Sequence, residues 1–145
     1  MNNKNYNNPN KSKYEYTYEL KEKISISNEL CSVLTIEEVN LPYKSAYKVA
    51  MEVKGSLNTN QLRKIFEQIK SCEKYLPDVC KARSELYKLL PLIAYAVGRN
   101  NCPKPFFELI EKCVCKERLC TSEDVHRLIE FITAIVAYVK FLSVK

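Results

Sequence analysis

Apolar residues recur at intervals of three and four along the chain from Leu41 onward, which is the spacing of one buried face of an α-helix. A first helix is predicted to begin at Pro42, because proline suits the first helical position, and to end at Gly55. Its predicted apolar positions are Tyr43, Ala46, Tyr47, Ala50 and Val53.

Two further helices are predicted in the middle of the chain. Asn58, with Gln61 three residues later, is a capping arrangement, so a second helix is predicted to begin there and to end near Leu76. A third helix is predicted over residues 78–97, closed by Gly98. Pro91 lies inside it and should kink it or split it in two, because proline lacks the N–H of the helical hydrogen bond.

The last two predicted helices follow a short turn. Pro103 and Pro105 open the fourth, and either Thr121 with Asp124 or the neighbouring Ser122 caps a fifth that runs to near the C-terminal end. The apolar positions of the fifth helix cover more than one stripe: Val125, Leu128, Ile129, Ile132, Ile135, Val136 and Val139. This breadth predicts the central helix of a bundle, or a helix that also contacts a partner subunit. The predicted fold is therefore all-α, a compact bundle of about five helices.

The first forty residues have a different pattern. Residues 1–13 are polar and low in complexity, and they predict a mobile tail because too little apolar surface offsets the entropy of ordering them. Residues 14–40 alternate like a strand at first and then have irregularly spaced apolar positions, so they are predicted to be weakly ordered, with room for one short helix. The predicted domains are a weakly ordered extension over residues 1–40 and a helical bundle over residues 41–145.

Composition and cysteine usage favour a location in the cytoplasm. The N-terminal ten residues are rich in Asn and lack the apolar stretch of a secretory signal, and no apolar run reaches the roughly 20 residues that cross a bilayer. Seven cysteines is an odd number, which favours reduced thiols over a disulfide framework. We expect a soluble cytoplasmic protein without a membrane partner.

The positive charge of the chain is concentrated in one segment. The formal net charge is +6, and residues 41–104 hold twelve Lys or Arg against five acids, while the flanking segments are nearly balanced. Clustered cations are what phosphate contacts require, so this segment predicts a polyanion-binding surface. A solvated Lys-rich surface without a ligand is the alternative.

Residues for catalysis or metal binding are scarce. His126 is the one histidine, and neither a Gly-rich phosphate loop nor a serine nucleophile elbow occurs, so no enzyme is predicted. Four cysteines are candidate zinc ligands: Cys102, Cys113, Cys115 and Cys120. On one helix Cys113 and Cys115 point in directions about 200° apart, which favours buried free thiols. No metal or other cofactor is predicted.

The second predicted helix has four cations on or near one face: Arg63, Lys64, Lys70 and Lys74. Arg63 and Lys64 lie near its N-terminus, where the helix dipole disfavours positive charge, which suggests a role other than stability. With Lys54 just before the helix they form a predicted phosphate-binding corner. The alternative is that Glu67 and Glu73 pair with these cations.

Three segments, in order, resemble the small subunit of type III-A CRISPR (Csm) interference complexes. They are KGSLNTNQLRKIFEQIK at residues 54–70, LLPLIAYAVGR at residues 89–99 and FITAIVAYVKF at residues 131–141. The resemblance covers about residues 41–141 and is carried by the order and spacing of these segments.

This resemblance implies a helical bundle without an active site, several copies of which stack in a minor filament beside other Csm complex subunits. The implied partners are guide RNA and target RNA, held through their backbones in antiviral defence. The implied RNA-binding positions in this sequence are Lys54, Arg63, Lys64 and Arg99, with Lys70 and Lys88 as extensions of the same face.

Two alternatives to this interpretation remain at the level of sequence. One is the small subunit of the related type III-B complex. The other is a protein-interaction adaptor that binds its partner through the broad apolar face of the fifth predicted helix.

Overall fold

A computed structural model describes residues 13–27 and 29–143, and within them all regular structure is α-helical. The helices are α1 Glu15–Ile26, α2 Leu30–Val33, α3 Ile36–Asn40, α4 Ser45–Val53, α5 Thr59–Glu73, α6 Val79–Tyr87, α7 Leu89–Gly98, α8 Lys104–Cys113 and α9 Ser122–Leu142. The all-α prediction is confirmed. The described helices outnumber the predicted five because the third predicted helix is divided and residues 13–40 contribute helices of their own.

The third predicted helix is split in two at Lys88, which separates α6 from α7. Pro91 cannot donate a backbone hydrogen bond, and its ring crowds the carbonyl four residues earlier, which belongs to Tyr87. Tyr87 is the last residue of α6, so the break falls where proline chemistry requires it. The prediction that Pro91 kinks or splits this helix is confirmed.

Residues 13–40 contain three helices, more than the single short helix predicted for them. Leu20, Ile24, Leu30 and Val39 are buried in the same apolar cluster as the rest of the core, and α1 packs against α8 and α4. The predicted mobile tail, apart from Lys13, lies outside the described residues. The domain boundary at residue 40 stays a prediction.

Helix α1 receives its N-terminal cap from another helix. The preceding residue, Tyr14, offers no side-chain cap. Instead the Glu52 carboxylate of α4 accepts hydrogen bonds from the backbone N–H groups of Tyr16 and Thr17, each at 2.8 Å, and from the Thr17 hydroxyl at 2.7 Å. Capping groups supplied in this way satisfy N–H groups that a helix cannot pair internally.

The start of the first predicted helix is corrected from Pro42 to Ser45. Tyr43 has a φ of 68°, a left-handed conformation that an α-helix of L-residues excludes, so the chain turns before the helix begins. The turn brings the backbone N–H of Ser45 to 3.2 Å and its hydroxyl to 2.6 Å from Glu38 Oε1. Tyr43 is 72% exposed rather than part of a buried face.

Helix α9 is central to the bundle, as its broad apolar pattern predicts. It packs against α4, α5, α3, α2 and α6, and its buried residues include Phe131, Ile132, Ile135 and Val139. The predicted cap of this helix is confirmed, because Thr121 and Asp124 form a reciprocal capping box. Although α9 has 21 residues, no helix in the described part of the chain combines the length and apolarity needed to cross a membrane.

Candidate functional site

The beginning of α5 and the end of α7 lie side by side. The backbone N–H of Asn58, the N-cap of α5, donates to the Asn101 carbonyl at 2.9 Å. The Asn58 side chain caps α5 through the N–H of Asn60 at 2.8 Å, so the predicted cap is confirmed but Gln61 is not its partner. Gln61 is buried instead. Helix α5 ends at Glu73, slightly before the predicted end near Leu76.

A tight turn after α7 makes this contact possible. Helix α7 ends at Gly98, one residue beyond the predicted end at Val97, and Asn100 adopts the left-handed conformation, with φ of 61°. The N–H of Asn100 donates to Val97 at 3.0 Å, and the N–H of Asn101 donates to Ala96 at 2.8 Å. Asparagine tolerates this backbone conformation better than most residues do, so the turn positions Asn101 against α5.

Between the two helix ends lies a cleft of about 400 Å³, called here the cationic cleft. Three of the predicted RNA-binding residues line it: Arg63, Lys64 and Arg99. The other lining side chains are neutral apart from Glu67: Asn58, Asn60, Gln61, Tyr95 and Asn101. Folding therefore places Arg99 in the same cleft as Arg63 and Lys64, which are more than thirty positions earlier in the sequence.

The three cations of the cleft have no carboxylate partner in the described residues. Arg63 Nη2 donates to the Asn60 side-chain oxygen at 3.1 Å, and Arg99 Nη1 donates to the Tyr95 hydroxyl at 3.1 Å. Lys64 forms no hydrogen bond or ion pair with another described residue. Glu67 lines the same cleft without forming an ion pair there. Positive charge that is not neutralised within the fold remains available to an anionic ligand.

Tyr95 was not among the predicted site residues, although it lies in the cleft. It is 61% exposed, and the Arg99 guanidinium carbon is 5.7 Å from its ring centre. The hydrogen bond from Arg99 lowers the pKa of the Tyr95 phenol, and the positive charges of Arg99 and Lys64 lower it further. The signal available in the sequence was the spacing of four between Tyr95 and Arg99, which places both on one side of a helix.

Three predicted RNA-binding residues lie outside the cationic cleft. Lys54 is exposed and ends α4 as its C-cap. Lys70 forms an ion pair with Glu73 at 3.3 Å, as the alternative for this helix anticipated, and Lys88 pairs with Glu85 at 2.8 Å. The Lys88 contact lowers the pKa of the Glu85 carboxyl and raises that of Lys88. Exposed pairs of this kind are weak, so both lysines can still contact a polyanion.

The cysteines and the histidine are distributed over the molecule. Cys113 ends α8, so Cys115 lies beyond that helix and the expectation that the two share a helix was wrong. Across residues 13–27 and 29–143, no three His, Cys, Asp or Glu side chains cluster in a way that could hold a metal ion. His126 Nε2 lies 3.7 Å from Glu130 on the exposed side of α9.

Comparison with known proteins identifies one similarity. A family model described as Csm2 Type III-A matches residues 36–145, a segment that contains the whole cationic cleft. No curated protein and no solved structure matches the chain.

Proposed function

Because the chain belongs to the Csm2 type III-A family, the small subunit of type III-A CRISPR Csm complexes, we propose that it holds RNA in the cationic cleft as a non-catalytic subunit acting in antiviral defence. The proposed partners are guide RNA and target RNA together with other Csm subunits. The family match favours type III-A over the type III-B alternative.

The observation that carries this proposal is the convergence of Arg63, Lys64 and Arg99 on one cleft without a carboxylate partner among the described residues. Arginine presents a planar fork of N–H donors that matches two phosphate oxygens at once, while lysine acts as a compact positive charge. Arg99 uses one of its N–H groups on Tyr95 and keeps the others for phosphate. Such contacts hold the RNA backbone without reading its sequence.

The other predicted cations extend the proposed surface beyond the cleft. Lys54, Lys70 and Lys88 are exposed, and each adds positive charge that RNA can contact. A single copy of the chain makes few phosphate contacts and therefore binds weakly. Copies stacked in a filament gain through effective concentration, so the loss of one cation per copy is multiplied along the filament.

The broad apolar face of α9 does not favour the adaptor alternative. Most of the apolar residues of this helix are packed against other helices of the same chain. An adaptor would need that face in contact with a partner, and here it is part of the core.

The proposal is tested by the binding of the full chain to a single-stranded RNA of about 40 nucleotides over a series of salt concentrations. Each phosphate contact to a single strand contributes about 0.7 to the slope of log affinity against log salt. We expect Arg63→Ala/Lys64→Ala to lower the affinity and to reduce the slope by about 1.4, while far-ultraviolet circular dichroism stays unchanged because both residues are exposed.

The matched control is Lys112→Ala/Lys116→Ala, which removes the same charge from two exposed residues outside the cleft. If the two double variants lower the affinity for RNA equally, binding depends only on the net charge of the chain and the cleft is not an RNA-binding site. If the wild-type chain fails to bind RNA at low salt, the proposal that the cleft holds RNA is wrong.

A further inference from the structure

Tyr95 is an exposed aromatic residue that lines the cationic cleft. A single exposed apolar side chain carries no functional information by itself. The core of α7 is filled by Leu89, Ile93 and Ala96, so the fold does not use the Tyr95 ring as packing material. The ring instead lies at the edge of the cleft that contains Arg63, Lys64 and Arg99. An aromatic ring beside a positively charged groove is the arrangement with which proteins hold single-stranded nucleic acid.

The ring is held in place before any ligand arrives. Arg99, one helical turn later, donates to the Tyr95 hydroxyl at 3.1 Å, and its guanidinium lies 5.7 Å from the ring centre. The side chain is nevertheless 61% exposed, so most of its surface remains open. A ring restrained by such contacts loses less conformational entropy than a free ring does when a planar group stacks on it.

The remaining lining of the cleft suits a base and its sugar. Four residues with amide side chains line it, namely Asn58, Asn60, Gln61 and Asn101. An amide group both donates and accepts hydrogen bonds. The three cations outnumber the Glu67 carboxylate, so a phosphate is expected to contact Arg63, Lys64 and Arg99. The volume of about 400 Å³ lies within the range of sites for small ligands, which a single nucleotide resembles in size.

We propose that the cationic cleft takes one unpaired nucleotide, whose base stacks on the Tyr95 ring while Arg63, Lys64 and Arg99 hold the adjoining phosphates. This inference rests on the proposed RNA-binding function and deepens it, because phosphate contacts alone would accept paired and unpaired RNA alike. A base within an A-form duplex is already stacked on its neighbours and is not available to Tyr95. The cleft therefore prefers single-stranded RNA.

The test compares two RNA probes of the same sequence, about 12 nucleotides long, one single-stranded and one fully paired. Stacking on an aromatic side chain contributes enough that we expect Tyr95→Ala to weaken binding of the single strand by about 5- to 150-fold. Binding of the duplex should change less than about twofold. The salt dependence should remain that of the wild type, because a stacking contact releases no counterions.

Two variants control for the ring itself and for the loss of a surface tyrosine. Tyr95→Phe keeps the ring and should retain most of the affinity for the single strand. Tyr87→Ala removes a tyrosine that is 40% exposed and lies outside the cleft, and it should bind both probes as the wild type does.

The two proposals fail in distinguishable ways. If Tyr95→Ala binds the single strand as tightly as the wild type while Arg63→Ala/Lys64→Ala binds it weakly, the stacked nucleotide is refuted and RNA binding by the cleft stands. Equal weakening of single strand and duplex by Tyr95→Ala also refutes stacking. If neither variant changes the affinity, or if the wild-type chain binds no RNA at low salt, both proposals are wrong.

Discussion

At the scale of single residues, Asn100 determines how α7 ends and therefore where Asn101 meets α5. Its φ of 61° disfavours side chains that branch or lack a local polar group. We expect Asn100→Ala to lower the free energy of unfolding by about 1 kcal/mol, whereas Asn100→Gly should change it by less than about 0.5 kcal/mol. Urea unfolding followed by circular dichroism measures both, and an equal loss in the two variants would contradict the backbone explanation.

Glu38 gives one part of the stability a defined pH dependence. The hydrogen bond from the Ser45 hydroxyl lowers the pKa of this carboxyl below its ordinary value of 4.5, and the Ser45 N–H lowers it further. A carboxyl with a lowered pKa in the folded state contributes stability that is complete above pH 4.5 and is lost as the pH falls from there through the folded-state pKa.

We therefore expect Glu38→Gln to be less stable than the wild type near neutral pH and to show a shallower fall in stability on acidification. Unfolding by urea at a series of pH values measures this difference. Glu37→Gln, which changes an exposed carboxyl of the same helix, is the matched control. If Glu38→Gln loses stability on acidification as steeply as the wild type does, the Glu38 carboxylate does not cause this pH dependence.

Single-residue features were predictable from the sequence where they depend only on residues nearby in the chain. The Thr121 and Asp124 capping box involves neighbours three positions apart, and the position of the α6/α7 break follows from Pro91 alone. The left-handed conformation of Tyr43 was not predictable, because tyrosine has no preference for it and the Glu38 contact that accompanies the turn is a property of the folded chain.

At the scale of helices, α1 depends on α4 for its cap. We expect Glu52→Ala to lower the free energy of unfolding by about 2 kcal/mol, because three donors lose a charged acceptor. In this variant, hydrogen exchange measured by mass spectrometry should be faster in α1 than it is in the wild type, while exchange in α9 should change less. Glu22→Ala, an exposed substitution on α1, is the control. Unchanged exchange in α1 after Glu52→Ala would show that the cap is not what holds this helix.

This dependence explains why α1 was not predicted as a helix. Its own sequence alternates and offers no N-cap at Tyr14, while the carboxylate that caps it lies some 35 positions later at Glu52. Helices α5, α8 and α9 were predicted because each has apolar residues at helical spacing and a local start signal. A helix stabilised by distant side chains lacks those local signals.

At the scale of the whole molecule, the accessibility of the seven cysteines reports on the core. Cys72, Cys102 and Cys113 are buried, and burial raises the pKa of each thiol to about 12. Thiolate is the reactive form, so these three should react with a thiol reagent at mildly alkaline pH only after unfolding. Cys80 and Cys120 are exposed and should react in the native state. Rapid labelling of the three buried thiols without denaturant would contradict the packing described.

The cationic residues of the candidate site could be predicted from the sequence, but their position around a single cleft could not. Arg63 and Lys64 stand out by their position near a helix N-terminus, and the family resemblance implied Arg99. That Arg99 lies in the same cleft follows from the turn at Asn100 and its contact with α5, which no spacing in the sequence indicates. Tyr95 enters the site for the same reason.

We propose that RNA in the assembled complex lies in the cationic cleft. Ultraviolet crosslinking of a Csm complex reconstituted with this chain, followed by mass spectrometry of the crosslinked peptides, tests it most directly. We expect crosslinks on the peptides that carry Lys64 and Tyr95, and we expect Arg63→Ala/Lys64→Ala to diminish the crosslink on the Tyr95 peptide. Crosslinks confined to peptides outside the cleft, such as the one that carries Lys112 and Lys116, would contradict the claim.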